Sequence, residues 1–176
     1  MEGHVSQEVE ISPEALAKRV SLLMTKPENT DTKAPLLLFL KANGLQAKTF
    51  HFTLNQKMLR RLYPDIQHSS ELVLATNEHM LGKVVEVFLV TKDEGNTLQK
   101  SVLDQVVELV GTKTNPEDNK EGTLRKHLHG ETKKYPDASG NDVLYFENGF
   151  HRPLTSKELV EQLNVFGLLD EAKSLV

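Results

Sequence analysis

Two polar stretches carry the residue types that handle phosphate. The run "TNPEDNKEGTLRKHLHG", residues 114–130, puts a threonine, a Gly-Thr pair and a basic cluster into one turn-rich segment. Further on, "ENGFHRPLTSKE", residues 147–158, sets His151 three residues after Asn148, just past a stretch that reads as a strand. A neutral imidazole is a competent nucleophile near pH 7. Phosphoryl transfer otherwise needs cations and aligned donors around the equatorial oxygens. Lys26 and Arg125 supply charge, and Thr114 supplies a neutral donor. Each residue also has a plainer reading. His151 alone is a loop histidine, and Lys26 beside Pro27 is a turn lysine. Thr114-Asn115-Pro116 is a common turn, and Arg125 with Lys126, His127 and His129 makes a solvated basic face. Tyr63, at a helix end, reads as a packing residue. His127 and His129 are two apart in a chain without cysteine, a weak pattern for metal ligation. No metal site is assigned.

Secondary elements must position these residues. "ISPEALAKR" predicts a short helical turn with Ser12 as cap and Pro13 at its first position. "VSLLMT", 20–25, is a short apolar run of buried-strand type, followed by the turn-rich loop "KPENTDTK". "APLLLFLKANG", 34–44, reads as a buried helix closed by Gly44. "LQAKTFHFTL", 45–54, alternates with period two and predicts a strand. "NQKMLRRLYPDI" begins on an Asn cap, and Pro64 stops its helix. "KVVEVFLV", 83–90, is a β-branched strand. "NTLQKSVLDQVVELVG", 96–111, has helical spacing and a terminal glycine. "DVLYFE", 142–147, reads as the fourth strand, and Thr155 with Glu158 as a capping box for a last helix. The order β, α, β, α, β, α, long loop, β, α predicts an α/β domain with a ferredoxin-like four-stranded antiparallel sheet covered by helices. Residues 1–14 read as a polar tail and 15–176 as the domain.

The bulk numbers narrow the function classes. The chain has 176 residues, 38% hydrophobic and 26% charged, which suits one compact domain. A net charge of −4 argues against a dedicated nucleic-acid binder. With no cysteine, disulfides and thiolate zinc sites are excluded. No apolar run approaches the roughly 20 residues of a membrane span, and "MEGHVSQEVEISPE" is too acidic for a targeting peptide. The expectation is a cytoplasmic protein that binds neither nucleic acid nor membrane.

The polar stretches resemble the nucleoside diphosphate kinase family over roughly residues 18–169. That family has a Lys-Pro-Asp-Gly turn after its first strand, where this chain has "TKPEN". "TNPEDNKEGTLR" matches the family's Thr-Asn-Pro segment, lysine and Gly-Thr-Ile-Arg with the same internal spacing. "NGFH" matches the asparagine that stands three residues before the family's catalytic histidine. The resemblance implies γ-phosphoryl transfer from a nucleoside triphosphate to a nucleoside diphosphate through a phosphohistidine, with Mg2+ accompanying ATP or another nucleotide. It implies His151 as nucleophile, with Asn148 and Lys26 at the sugar hydroxyls. Lys26 would also meet the transferring phosphoryl, Tyr63 would orient near the histidine, and Thr114 and Arg125 would hold the β- and γ-phosphates.

The chain departs from that pattern at several points. Val107 stands near the place of a phosphate-clamping Arg, and Arg152 and Pro153 follow the histidine where the family has Gly and Ser. Glu161 or Gln162 lies nearest to the glutamate that orients the histidine in the family. No aromatic residue stands in "DIQHSSELVL" to stack on a base. About a dozen residues are inserted in 126–141, beside the phosphate site of the family fold. These departures point to a divergent member, weak or inactive, that serves as a nucleotide-binding or structural subunit of a larger assembly or homo-oligomer. Inactive relatives act so in cilia and flagella, which makes a ciliary or cytoskeletal place part of that expectation. The alternative is an active kinase working through phospho-His151.

Overall fold

The computed structural model describes residues 10–27 and 33–176. Most of the expected tail and the middle of the "KPENTDTK" loop, at 1–9 and 28–32, lie outside the described residues.

Helix α1 spans Pro13–Arg19, with the Ser12 hydroxyl accepting the Ala15 amide at 3.1 Å. Strand β1, Val20–Thr25, is buried along its whole length. Helix α2, Lys33–Ala42, ends before Gly44, whose φ of 75° turns the chain into strand β2, Leu45–Thr53. Asn55 caps helix α3, Gln56–Leu62, by accepting the Met58 amide at 2.9 Å. Tyr63 closes α3 ahead of Pro64. Helix α4, Ser70–Met80, and strand β3, Val84–Lys92, follow. Then come helices α5, Val102–Val110, and α6, Leu124–His127. Strands β4, His129–Pro136, β5, Asp142–Asn148, and β6, Phe150–His151, lead to helices α7, Ser156–Val165, and α8, Leu169–Ser174.

The main sheet has the order β2-β3-β1-β6, every pair antiparallel. This is the ferredoxin-like arrangement expected from the element order. Alternation sorts its residues between two cores. Leu22, Met24, Val85, Val87 and Leu89 pack with Leu16 of α1 and Leu159 and Leu163 of α7. Leu23, Phe88, Val90 and Phe150 pack with Leu36 and Leu40 of α2 and with Val102, Val106 and Val110 of α5. Helices therefore cover both faces, and no helix among the described residues is long and apolar enough to cross a membrane.

Three elements differ from the sequence reading. The "DVLYFE" strand is real, but as β5 it pairs with β4 in a separate two-stranded sheet. The fourth strand of the main sheet is the two-residue β6 instead. The helix expected from Asn96 starts only at Val102. The Asn96 side chain ties down the preceding loop, donating to the Gly44 carbonyl at 3.0 Å and to Gln105 Oε1 at 2.8 Å. Ser101 then provides the cap, accepting the Asp104 amide at 3.1 Å. Finally, the insertion is no loop: it builds β4 and the turn before β5.

Candidate active site

Lys26 follows β1, and its amide donates to the Gly149 carbonyl at 2.9 Å. In the same ladder, Met24 of β1 faces His151 of β6. Backbone pairing thus places the lysine and the histidine side by side at one end of the sheet. Tyr63, at the end of α3, meets them there: its ring centroid lies 4.9 Å from that of His151, at 63°. Lys26 Nζ lies 5.5 Å from the tyrosine ring, within cation–π range.

The opposite wall comes from the loop between α5 and α6. Gly111 ends α5 at φ 110°, and the buried Asn119 folds against it. Asn119 Oδ1 accepts the Lys113 amide at 3.0 Å, while its Nδ2 donates to the carbonyls of Lys113, Asn115 and Pro116 at 3.2–3.3 Å. This knot holds the Thr114 segment in shape. Arg125 of α6 donates from Nε and Nη2 to the Phe150 carbonyl at 3.4 and 3.2 Å, and from Nη1 to the Lys113 carbonyl at 3.2 Å. It therefore clamps β6 to the Thr114 loop.

These walls enclose a cleft of about 580 Å³, lined by Lys26, Tyr63, Thr114, Arg125, Asn148 and His151 together with Arg152 and Gln162. All six residues singled out in the sequence stand in it, from five separate segments. Tyr63 is the only phenylalanine or tyrosine among the described lining residues, so the stacking aromatic missing from the sequence is missing from the cleft too. Val107 does not line it. Nor does any residue of 126–147: the β4–β5 hairpin leans on α4 instead, through His79 Nδ1 and the Tyr145 hydroxyl at 2.8 Å and a Tyr135-to-Glu78 bond at 2.8 Å. The inserted residues 126–141, which the sequence resemblance sets beside the phosphate site, therefore do not line this cleft.

Arg152 does not fill the cleft either. Its Nη2 donates to the Gly111 carbonyl at 2.8 Å, which draws the guanidinium toward the end of α5. Of the two residues near the orienting position, Gln162 stands beside His151, whereas Glu161 turns to Arg61 in a 2.8 Å ion pair. The Gln162 carboxamide favours the protonated ring, although its Oε1 makes no well-formed hydrogen bond. Glu158 accepts the Leu154 amide at 2.7 Å, one residue before the Thr155 cap, so the expected capping box closes slightly early.

The electrostatics favour anions. Burial first, and then the charges of Lys26, Arg125 and Arg152, hold the His151 pKa well below its ordinary value of 6.5. The ring is therefore neutral at physiological pH. Burial and the neighbouring Arg152 lower the Arg125 pKa to about 9, which leaves it cationic. Among the buried polar atoms of the cleft residues, Asn148 Oδ1, His151 Nε2 and Arg152 Nε have no hydrogen-bond partner. Unsatisfied buried groups are rare in folded proteins and mark functional positions. Among the described residues, no group of three or more His, Cys, Asp or Glu is placed to hold a metal ion.

The arrangement of sheet and helices is that of a nucleoside diphosphate kinase-like α/β domain. Neither a protein-family model nor a curated sequence matches this chain. Among solved structures, it is similar to the nucleoside diphosphate kinase of Borrelia burgdorferi, a transition-state mimic with bound vanadate and ADP. That match has 18% identity over 84% of this chain and 86% of the other, at a TM-score of 0.62. The enzyme of Encephalitozoon cuniculi matches at 16% identity over 84% and 88% of the chains, TM-score 0.60. An enzyme of Pyrobaculum aerophilum matches at 15% over 84% and 94%, TM-score 0.60. At these identities the likeness establishes the fold: the chain has the fold of nucleoside diphosphate kinases.

Sequence reasoning passed over Asn119, whose place between two turn-rich residues gives no pattern to read. Arg152 stood out in the sequence as a bulky residue in place of glycine and as a positive charge beside the histidine that helps to hold phosphate. The signal available there was Pro153, which holds the preceding residue extended and so fixes where the arginine leaves the backbone.

Proposed function

We propose that this protein is a nucleoside diphosphate kinase-like phosphotransferase that carries the phosphoryl group on His151. The observation behind the reading is the convergence of Lys26, Tyr63, Thr114, Arg125, Asn148 and His151 on one cationic cleft around a neutral imidazole. In the first half-reaction a ring nitrogen of His151 attacks the γ-phosphorus of a bound triphosphate. The bond to the β–γ bridging oxygen breaks, and the electron pair leaves with the nucleoside diphosphate. In the second, a terminal oxygen of another diphosphate attacks the phosphorus, and the ring recovers its lone pair. A buried, uncharged nitrogen is ready for this role without first losing a proton. Lys26, Arg125 and the Thr114 hydroxyl offset charge on the equatorial oxygens, and Asn148 and Lys26 receive the sugar hydroxyls. Magnesium, on this reading, arrives on the phosphates of the nucleotide.

One sequence argument for an inactive protein loses its force, since no residue of the insertion lines the cleft, and Arg152 lines it with its guanidinium drawn to the Gly111 carbonyl. Three observations still favour a nucleotide-binding module without turnover: Val107 stands near the place of the clamping arginine, Pro153 stands where the family has a hydroxyl, and the described cleft holds no stacking aromatic beyond Tyr63. The fold also supports a homo-oligomer by analogy, to be read from molecular mass in solution. No feature of the described residues favours a ciliary place, which is left out of the proposal.

The test is incubation with ATP labelled in the γ-phosphoryl. Wild type should acquire acid-labile label, His151→Ala none, and addition of GDP should discharge the label into GTP. Turnover of about 1 s⁻¹ or more would sit within the ordinary enzyme range. Absence of acid-labile label in wild type, or equal label in both proteins, refutes the proposal.

A further inference from the structure

We infer that Arg152 replaces the missing arginine of α5 as a phosphate-binding residue, and that it offers more open donors to the terminal phosphates than Arg125 does. The inference rests on the proposed function and deepens it. It starts from a count of N–H groups. A guanidinium has five. Arg125 directs three of its nitrogens to main-chain carbonyls: Nε and Nη2 to Phe150, Nη1 to Lys113. It acts chiefly as a tie between β6 and the Thr114 loop, with two N–H groups left over. Arg152 makes one bond, from Nη2 to Gly111. Its Nε is buried without a hydrogen-bond partner although the residue is only 6% exposed. It adjoins His151 in the chain and lines the same cleft as Lys26 and Thr114.

A buried cation with unused donors is costly unless a counter-charge visits it. The described protein groups do not provide one of full strength. Glu158 is the one carboxylate with a resolved attraction for Arg152, and its Oε2 is engaged by the Leu154 amide at 2.7 Å. A phosphate oxygen in the cleft would complete the set, with a geometry that guanidinium forks match well. Val107, half-buried and turned away from the cleft, cannot contribute. The cation that the helix lacks is thus supplied by the residue after the histidine. Pro153 supports the exchange by holding the Arg152 backbone extended, while the Gly111 carbonyl takes one N–H of the fork and leaves the rest, Nε among them, without a hydrogen-bond partner.

The experiment compares affinities for AMP, ADP and inorganic pyrophosphate by calorimetry, in wild type, Arg152→Gln and Arg152→Lys. Loss of a charge-assisted bond to phosphate weakens binding at least about tenfold. Arg152→Gln should lose that factor for ADP and pyrophosphate and much less for AMP, with Arg152→Lys restoring part of it. Retained AMP binding shows that the variant is folded. Should Arg152→Gln fail to fold, pyrophosphate titrated into wild type must still shift the Arg152 Nε–Hε resonance. Wild type that binds ADP, with unchanged ADP affinity in Arg152→Gln or an unmoved resonance, overturns the inference and leaves the proposed function standing. Wild type that binds neither ADP nor pyrophosphate overturns both.

Discussion

Acid should destabilise this protein through one residue in particular. His151 is only 8% exposed, and burial together with Lys26, Arg125 and Arg152 holds its pKa well below 6.5. In the unfolded chain the same ring titrates near 6.5. Below that pH the unfolded state therefore binds a proton that the folded state refuses. Stability is fully present above about pH 6.5 and falls as pH drops toward the folded pKa. For one proton the loss is about 1 kcal/mol between pH 6.5 and 5.5, and it approaches 1.4 kcal/mol per unit further down. Against a total of roughly 5–15 kcal/mol this is easily measured. The assay is urea denaturation of wild type and His151→Gln between pH 8 and 4.5. The other six histidines are common to both proteins, so the difference between the curves isolates His151. The wild-type curve should fall more steeply below pH 6.5. Phosphohistidine formation, which needs the neutral ring, should keep its rate down to well below pH 6.5. A ring resonance titrating at 6.5 or above, with parallel stability curves, would refute the electrostatic account.

Four other outcomes follow from particular contacts. Asn148→Ala removes a buried carbonyl oxygen that has no partner, so thermal stability should hold or rise while nucleotide affinity drops about tenfold. Asn119→Ala breaks the knot under Thr114 and should cost about 2–3 kcal/mol, with a matching loss of ADP binding by calorimetry. Tyr145→Phe deletes the 2.8 Å bond to His79; denaturant unfolding should register about 1 kcal/mol, with no change in phosphohistidine formation, because the hairpin stands apart from the cleft. Leu159→Ala, fully buried between α7 and the sheet, should cost about 2–5 kcal/mol in the same measurement.

Much of the fold was legible because its signals are local. β1, β2 and β3 announce themselves by apolar runs or alternation, and Ser12, Asn55 and Thr155 mark helix starts through side chains that bond three residues ahead. Helix α4 was not legible. Its Leu72-Val73-Leu74 triplet lacks helical spacing, and Leu74 is 52% exposed. Strand β4, with "ETKK" at its heart, is solvated over most of its length and shows no alternation. The "DVLYFE" misassignment has a different cause. Pattern reports that a segment is extended, not which sheet receives it, and Phe150–His151 is too short to leave a pattern at all. The site residues were legible only through their motif spacing. The bonds that position them, such as the Arg125 guanidinium to the Phe150 carbonyl or the Asn119 side chain to the Lys113 backbone, end on backbone groups that no side-chain pattern encodes.

The pairing of Met24 with His151 also bears on when the site comes into being. The two strands lie far apart in the chain, β1 at Val20–Thr25 and β6 at Phe150–His151. At about 5–20 residues per second, β1 waits on the order of 10 s for its partner to leave the ribosome. Until then the sheet has an open edge along β1 and lacks His151 beside it. The contact, once made, closes a long loop for only two paired residues, an entropic arrangement that favours late formation and early loss. Hydrogen exchange should find the amides of Lys26 and β6 opening ahead of the β1–β3 ladder, so that the cleft around His151 would come apart by fraying well before the protein unfolds.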